Sequence, residues 1–104
     1  MFAVIYKFKV KPGQISNFKR AWRDLTLLIY EYEGSLGSRL HKQDEGIYLA
    51  YAQWPSREKW NNSGNNMPDS SNKIRQIMRD SCDKIETIYE LTVEDDLLEN
   101  SPFS

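Results

Sequence analysis

The chain has 104 residues, 39% apolar, 28% charged and 12% aromatic, with a net charge of −1. That length suits one domain able to bury a core without disulfides or a structural metal. The charge balance excludes a nucleic-acid binder held by bulk electrostatics, and the single cysteine, Cys82, excludes an intrachain disulfide or a multi-cysteine zinc site.

Residues 2–11 alternate. Phe2, Val4, Tyr6, Phe8 and Val10 point one way and Ala3, Ile5, Lys7, Lys9 and Lys11 the other, which predicts a strand stopped by Pro12-Gly13. From Gln14 to Glu33 the period changes. Ile15, Phe18, Ala21, Trp22, Leu25, Leu28, Ile29 and Tyr32 mark one face of an amphipathic helix ended by Gly34, with Leu27 and Tyr30 off that stripe and exposed on an isolated monomer. Leu36–Lys42 and Ile47–Trp54 read as a hairpin around Gln43-Asp44-Glu45-Gly46. Pairing residue 43 with 46 sets Gly37, Arg39 and His41 on the face of Tyr48, Ala50, Ala52 and Trp54, and leaves Leu36, Leu40, Ile47, Leu49 and Tyr51 opposite. Pro55-Ser56 caps a short helical turn, Arg57 to Asn61. After an Asn/Gly/Pro loop, Ser70 or Ser71 starts a helix running to about Asp83, with Ile74, Ile77, Met78 and Cys82 on its apolar stripe. Lys84 to Glu94 alternates again as the last strand, and residues 95–104 form a short acidic tail. No apolar run is long enough to span a membrane, and Met1–Lys7 lacks the basic lead of a signal peptide, so the expected location is the cytoplasm, without membrane or nucleic-acid partners.

The order strand, helix, strand, strand, helix, strand predicts an α+β fold of the ferredoxin-like type, spanning residues 1–94, with both helices on one face of an antiparallel sheet. The other face keeps large apolar groups, and a second copy of the chain is the economical cover, so a homodimer is expected, with Leu27 and Tyr30 as candidates to join the contact. Charge is separated between the ends: residues 1–23 carry six bases and no acid, while residues 83–99 carry seven acids and Lys84. Lys7 and Lys9 are therefore expected to pair with Glu86 and Glu90 across neighbouring strands.

Gly37, Ala50 and Ala52 leave volume above the hairpin. Either Trp22 packs down onto them, or they floor a pocket rimmed by Trp54, Trp60, Tyr48, His41 and Arg39. His41 is a proton acceptor near neutrality or a solvated turn residue, and Arg75 an inward cation or a surface one. Cys82, near a helix C-terminus, reads as core.

Three stretches carry a resemblance: Phe8-Lys9-Val10-Lys11-Pro12-Gly13, Tyr32-Glu33-Gly34, and Tyr51-Ala52-Gln53-Trp54 followed by Trp60. Together they resemble the antibiotic biosynthesis monooxygenase (ABM) domain family over roughly residues 2–94. The resemblance implies a dimeric α+β barrel and, in its cofactor-free branch, a monooxygenase that oxidises an aromatic substrate such as a phenol, anthrone or hydroquinone with O₂ and no cofactor. It places catalytic roles on Trp54, Arg75 and His41 and pocket positions on Ala50 and Trp60; the pocket reading of the residues themselves adds Arg39, Tyr48 and Trp22 as expected substrate contacts. Two positions depart from the pattern, Ala50 for an asparagine and Trp60 for a tyrosine. The haem-degrading branch is not implied, because the Ser70–Asp83 helix has no histidine and the first strand no asparagine. A non-catalytic dimeric binding protein of the same fold is the alternative.

Overall fold

A computed structural model describes residues 1–98. Alternation at the N-terminus yields β1 (Phe2–Val10), whose even-numbered side chains face the helices. The helix α1 (Ile15–Glu33) buries Phe18, Ala21 and Leu25 at helical spacing. It stops at Gly34, whose φ of 80° is the left-handed cap that glycine adopts without strain. Leu27 and Tyr30, off that stripe, are 57% and 54% exposed. The hairpin strands are β2 (Gly37–Asp44) and β3 (Ile47–Trp54). In α2 (Arg57–Asn61) the Ser56 hydroxyl accepts the Lys59 backbone N–H at 3.2 Å, the capping expected from the sequence. Helix α3 (Ser70–Asp80) and strand β4 (Cys82–Thr92) complete the described elements.

The strands lie in the order β2-β3-β1-β4, every neighbour antiparallel, which is the α+β ferredoxin-like arrangement. Phe8, Val10, Tyr48 and Ala50 from the sheet meet Phe18, Ala21 and Leu25 of α1 and Met78 of α3 in one core. The Phe18 ring is central to it, 5.0 Å from Phe8 and 5.5 Å from Tyr48 between centroids. A smaller cluster of Phe2, Val4, Ala52 and Trp54 lies at the other end of the sheet, with Ile29 and Trp60 packed on it. No helix among the described residues is long and apolar enough to cross a membrane.

The structure departs from the sequence expectations at three places. The first is the hairpin. Glu45-Gly46 forms the turn between Asp44 and Ile47, and Gln43 is an extra residue beside it, so β2 pairs as His41 with Leu49, Leu40 with Ala50 and Arg39 with Tyr51. Relative to the expected pairing this is a shift of one residue, which reverses the side chains of β2 from Gly37 to Lys42. Leu40 therefore packs into the core, and Arg39 and His41 stand exposed on the opposite face. The exchange is favourable: burying leucine gains apolar contact, while burying a guanidinium would cost desolvation.

The second is α3, which ends at Asp80. The Ser81 hydroxyl donates to the Met78 carbonyl at 2.9 Å, and the Lys11 N–H takes the Ser81 carbonyl at 2.9 Å. Cys82 thus opens β4 opposite Val10 instead of ending the helix. It is buried, and that burial pushes its thiol above the ordinary cysteine value.

The third is an irregularity in β4 around Ile88. Before it, Ile85 and Thr87 pair with Phe8 and Tyr6 on the helix side; after it, Tyr89 and Leu91 pair with Ile5 and Ala3 on the open side. The expected ion ladder is broken accordingly. Lys7 stands opposite Glu86, but Lys9 stands opposite Lys84, which reaches Glu86 along its own strand at 3.6 Å. Glu90 turns to the helix side and pairs with Arg57. The expected acidic tail continues past residue 98, so Glu99 to Ser104 lie outside the described residues.

Phe18 is fully buried, and its replacement by alanine is expected to cost about 3–5 kcal/mol of unfolding free energy, read from urea denaturation followed by circular dichroism. A loss under about 1 kcal/mol would show that the aromatic cluster is not the centre of the core.

Candidate functional site

The small residues of β3 do what their volume suggests, at one end of the strand. Tyr48 packs on Phe18 and closes the core there; toward the other end, Ala52 and Trp54 leave room beneath α1 and α3. The result is a cavity of about 310 Å³ between sheet and helices. β1 contributes Tyr6 and Phe8, α1 contributes Trp22, Leu25 and Ile29, and α3 contributes Arg75, Met78 and Arg79. Its size and largely apolar wall suit a small aromatic molecule.

Of the residues singled out in the sequence, Trp54, Arg75 and Trp22 meet at this cavity. His41 and Arg39 do not, because the hairpin register puts them on the far face of the sheet. Ala50 and Tyr48 are buried but line the core beside the cavity, not the cavity itself. Trp60 stands behind the wall and acts through a neighbour: its indole N–H donates to the Tyr6 hydroxyl at 2.7 Å.

Tyr6 is the principal residue that the sequence did not single out. It sits opposite Ala50 on the neighbouring strand, so a small residue gives its ring room to lean. Burial raises its phenol above the usual tyrosine range; the Trp60 hydrogen bond works against that shift, and Glu90 adds to it. The hydroxyl is therefore protonated at neutral pH and has a proton to donate to a ligand. Arg79, one helical turn beyond Arg75 on the same face of α3, adds a second guanidinium to the lining. The lining includes no carboxylate and no imidazole among the described residues.

Trp54 presents the most informative atom. The residue is 3% exposed, and its indole Nε1 has no acceptor among the described residues. Buried donors are normally satisfied, and leaving one unpaired costs about 1–3 kcal/mol. Trp54 also lines the cavity, but its Nε1 atom is itself enclosed, so a ligand there completes this hydrogen bond only if the side chains around it shift. Among the described residues no cluster of His, Cys, Asp and Glu is placed to hold a metal ion.

Removing the Tyr6 hydroxyl orphans the Trp60 N–H, so Tyr6→Phe is expected to cost about 1 kcal/mol in urea denaturation. Because the folded-state value is the raised one, the tyrosine contribution to stability is complete below about pH 10 and is lost as pH rises through the folded value. A tyrosinate absorbance titration should therefore show a late component that is missing in Tyr6→Phe. Identical titrations in the two proteins would contradict the burial assigned to this phenol.

Residues 1–67 match the sequence profile of the family described as antibiotic biosynthesis monooxygenase. No curated protein gives a significant match. Among solved structures, SnoaB from Streptomyces nogalater, a cofactor-independent oxygenase, superposes with a TM-score of 0.75 at 13% identity, covering 94% of this chain and 97% of that one. Rv0793 from Mycobacterium tuberculosis gives 0.72 at 14% identity, covering 93% and 98%. A candidate antibiotic biosynthesis monooxygenase from Caulobacter crescentus gives 0.70 at 24% identity, covering 89% and 90%. These structural likenesses share the fold described above, and the profile match shows the descent: the chain belongs to the antibiotic biosynthesis monooxygenase family.

Proposed function

We propose that this protein is a cofactor-independent monooxygenase that oxidises a small electron-rich aromatic, of the anthrone, phenol or hydroquinone type, with O₂. The observation that carries this reading is that Trp54, whose indole N–H has no acceptor among the described residues, and Arg75 both line one largely apolar cavity. A planar ring with an oxygen at its edge satisfies the first, and the negative charge that develops on ionisation is stabilised by the second.

For an anthrone the steps balance without a cofactor. Loss of a proton from the ring methylene gives a carbanion whose charge spreads to the carbonyl oxygen. One electron passes to O₂, and the resulting carbon radical and superoxide combine to a peroxide. The peroxide takes up a proton from water; the remaining hydrogen of that carbon then leaves as a proton while the O–O bond breaks, and the departing hydroxide takes it up as water, so one oxygen atom enters the product and the other leaves in the water. In this scheme the Arg75 and Arg79 guanidiniums make the bound substrate more acidic by stabilising its anion, so its proton passes to water without the histidine base that the resemblance suggested. The Tyr6 hydroxyl and the Trp54 N–H hold the ring oxygens. Trp22, Phe8 and Ile29 exclude water from the ionised ring.

The same proposal includes a homodimer. The open face of the sheet carries Ile5, Leu49, Tyr51, Tyr89 and Leu91, and Tyr89 is 59% exposed. Leu40 is no part of that face, since it is turned into the core. A second sheet laid on this face buries those groups and leaves the cavity on the outside of each sheet.

Oxygen uptake with anthrone, in buffer containing a chelator, tests the chemistry. Uptake should survive the chelator, fall roughly 10²–10³-fold in Arg75→Ala, and fall by a similar or smaller factor in Trp54→Phe. Replacing His41 by alanine should leave the rate unchanged, because that side chain lies across the sheet. Tight anthrone binding with no uptake would assign the cavity to a binding protein instead. For the dimer, light scattering at micromolar concentration should give twice the chain mass, and Tyr51→Glu should give the single mass. A monomeric wild type would remove the dimer from the scheme.

A further inference from the structure

Glu33 is a buried carboxylate for which the scheme above has no use. It is 6% exposed and is the last residue of α1, where the helix dipole opposes a negative charge. No lysine or arginine pairs with it among the described residues. A buried carboxylate needs hydrogen-bond partners for its oxygens. Two are present. The Asn66 backbone N–H donates to Oε1 at 2.9 Å, and the Gly64 backbone N–H donates to Oε2.

Both donors belong to residues 62–69, the connection between α2 and α3. Its first five residues, Asn62-Ser63-Gly64-Asn65-Asn66, offer no large apolar side chain to pack. Its other ties lie at its ends: the Ser63 N–H takes the Trp60 carbonyl at 3.0 Å, and Met67 packs on the core. Ser63 and Gly64 form part of the cavity wall. On the other side of the connection, Glu33, Lys59, Asn62 and Asn66 border a separate groove of about 380 Å³. The segment is thus a thin partition with open volume on both sides. Gly64, with φ of +101° and nothing within 4 Å of where a Cβ would stand, has the freedom to follow a movement of that partition.

We infer that Glu33 is a positioning residue: its carboxylate latches the 62–66 partition in place and so sets how large a ring the cavity admits. This rests on the cavity being the ligand site, and it adds a size filter to it. With the latch intact the wall at Ser63 and Gly64 is fixed. With it weakened the wall yields toward the groove, and bulkier rings gain more than small ones.

The test compares wild type with Glu33→Gln, an isosteric change that removes the charge and turns one acceptor into a donor. In the wild type, residue-resolved amide exchange should show Gly64 and Asn66 protected although they lie outside helix and strand; this measurement needs no variant. In Glu33→Gln those two amides should exchange roughly tenfold faster or more, with core amides such as that of Phe18 unchanged. Binding of hydroquinone, with one ring, and anthrone, with three, is then followed by tryptophan fluorescence. The ratio of anthrone to hydroquinone affinity should rise severalfold in Glu33→Gln, a shift that a general loss of stability would not produce. The latch is overturned if the wild-type amides are unprotected, if the variant leaves their exchange unchanged, if the affinity ratio stays the same, or if neither compound binds. Absence of oxygen uptake with the exchange and ratio effects intact would sink the monooxygenase and leave the latch standing.

Discussion

The extra residue at Gln43, beside the Glu45-Gly46 turn, decides which side of the sheet each residue of β2 occupies. A strand has two faces, so the side-chain pattern admits only two answers. One would drive Arg39 and His41 under the helices; the other puts Leu40 there and frees both polar groups. The turn chemistry supports the second: the Asp44 carboxylate accepts the Glu45 N–H at 2.7 Å, and Gly46 at φ 72° gives its carbonyl to the Val10 N–H at 2.8 Å. That last bond ties the hairpin end to β1, so the register of one pair of strands is locked by contact with the end of another.

From that constraint the two faces acquire different chemistry. The helix side is aromatic at one end, where Phe8, Phe18 and Tyr48 fill it, and hollow at the other, where Ala52 lets Trp54 and Tyr6 stand around a space. The far side holds aliphatic and tyrosine side chains edged by Arg39, His41 and Lys9. The irregularity at Ile88 sharpens the division by moving Tyr89 and Leu91 to the far side and Glu90 to the near one, where Arg57 meets it. Arg57 in turn lies over the Phe2 ring, 4.6 Å from its centroid, so α2 is held to the sheet by an ion pair and a cation–π contact together.

Most of the fold was legible because it is written in local periodicity. The alternation of residues 2–10, the stripe Phe18, Ala21, Leu25, and the run Ile47 to Trp54 each name their element without help from the rest of the chain. The site was legible only in part. Small residues on β3 marked a pocket beside Trp54, but only the resemblance chose the inward placement of Arg75 over the surface one, and the cavity depends on Ala52. What failed was register. Four polar residues at the hairpin end permit more than one turn, and only the cost of burying Arg39 chooses between them; weighing Leu40 against Arg39 and His41 would have found it. The Ile88 irregularity leaves no mark in an alternating pattern. Tyr6 was missed because its partner Trp60 is 54 positions away, and no local rule connects them.

The lone cysteine gives the molecule a chemical clock. Cys82 begins β4 against Val10, at the seam where α3 hands the chain to the sheet, and its thiol is buried and held in the protonated form. Thiol reagents attack the thiolate, so a folded molecule offers them almost nothing. Modification must wait until the β1–β4 seam parts. With a single such group per chain, the rate of labelling counts those partings one by one, and any event that tightens or loosens the seam changes the tempo of the reaction.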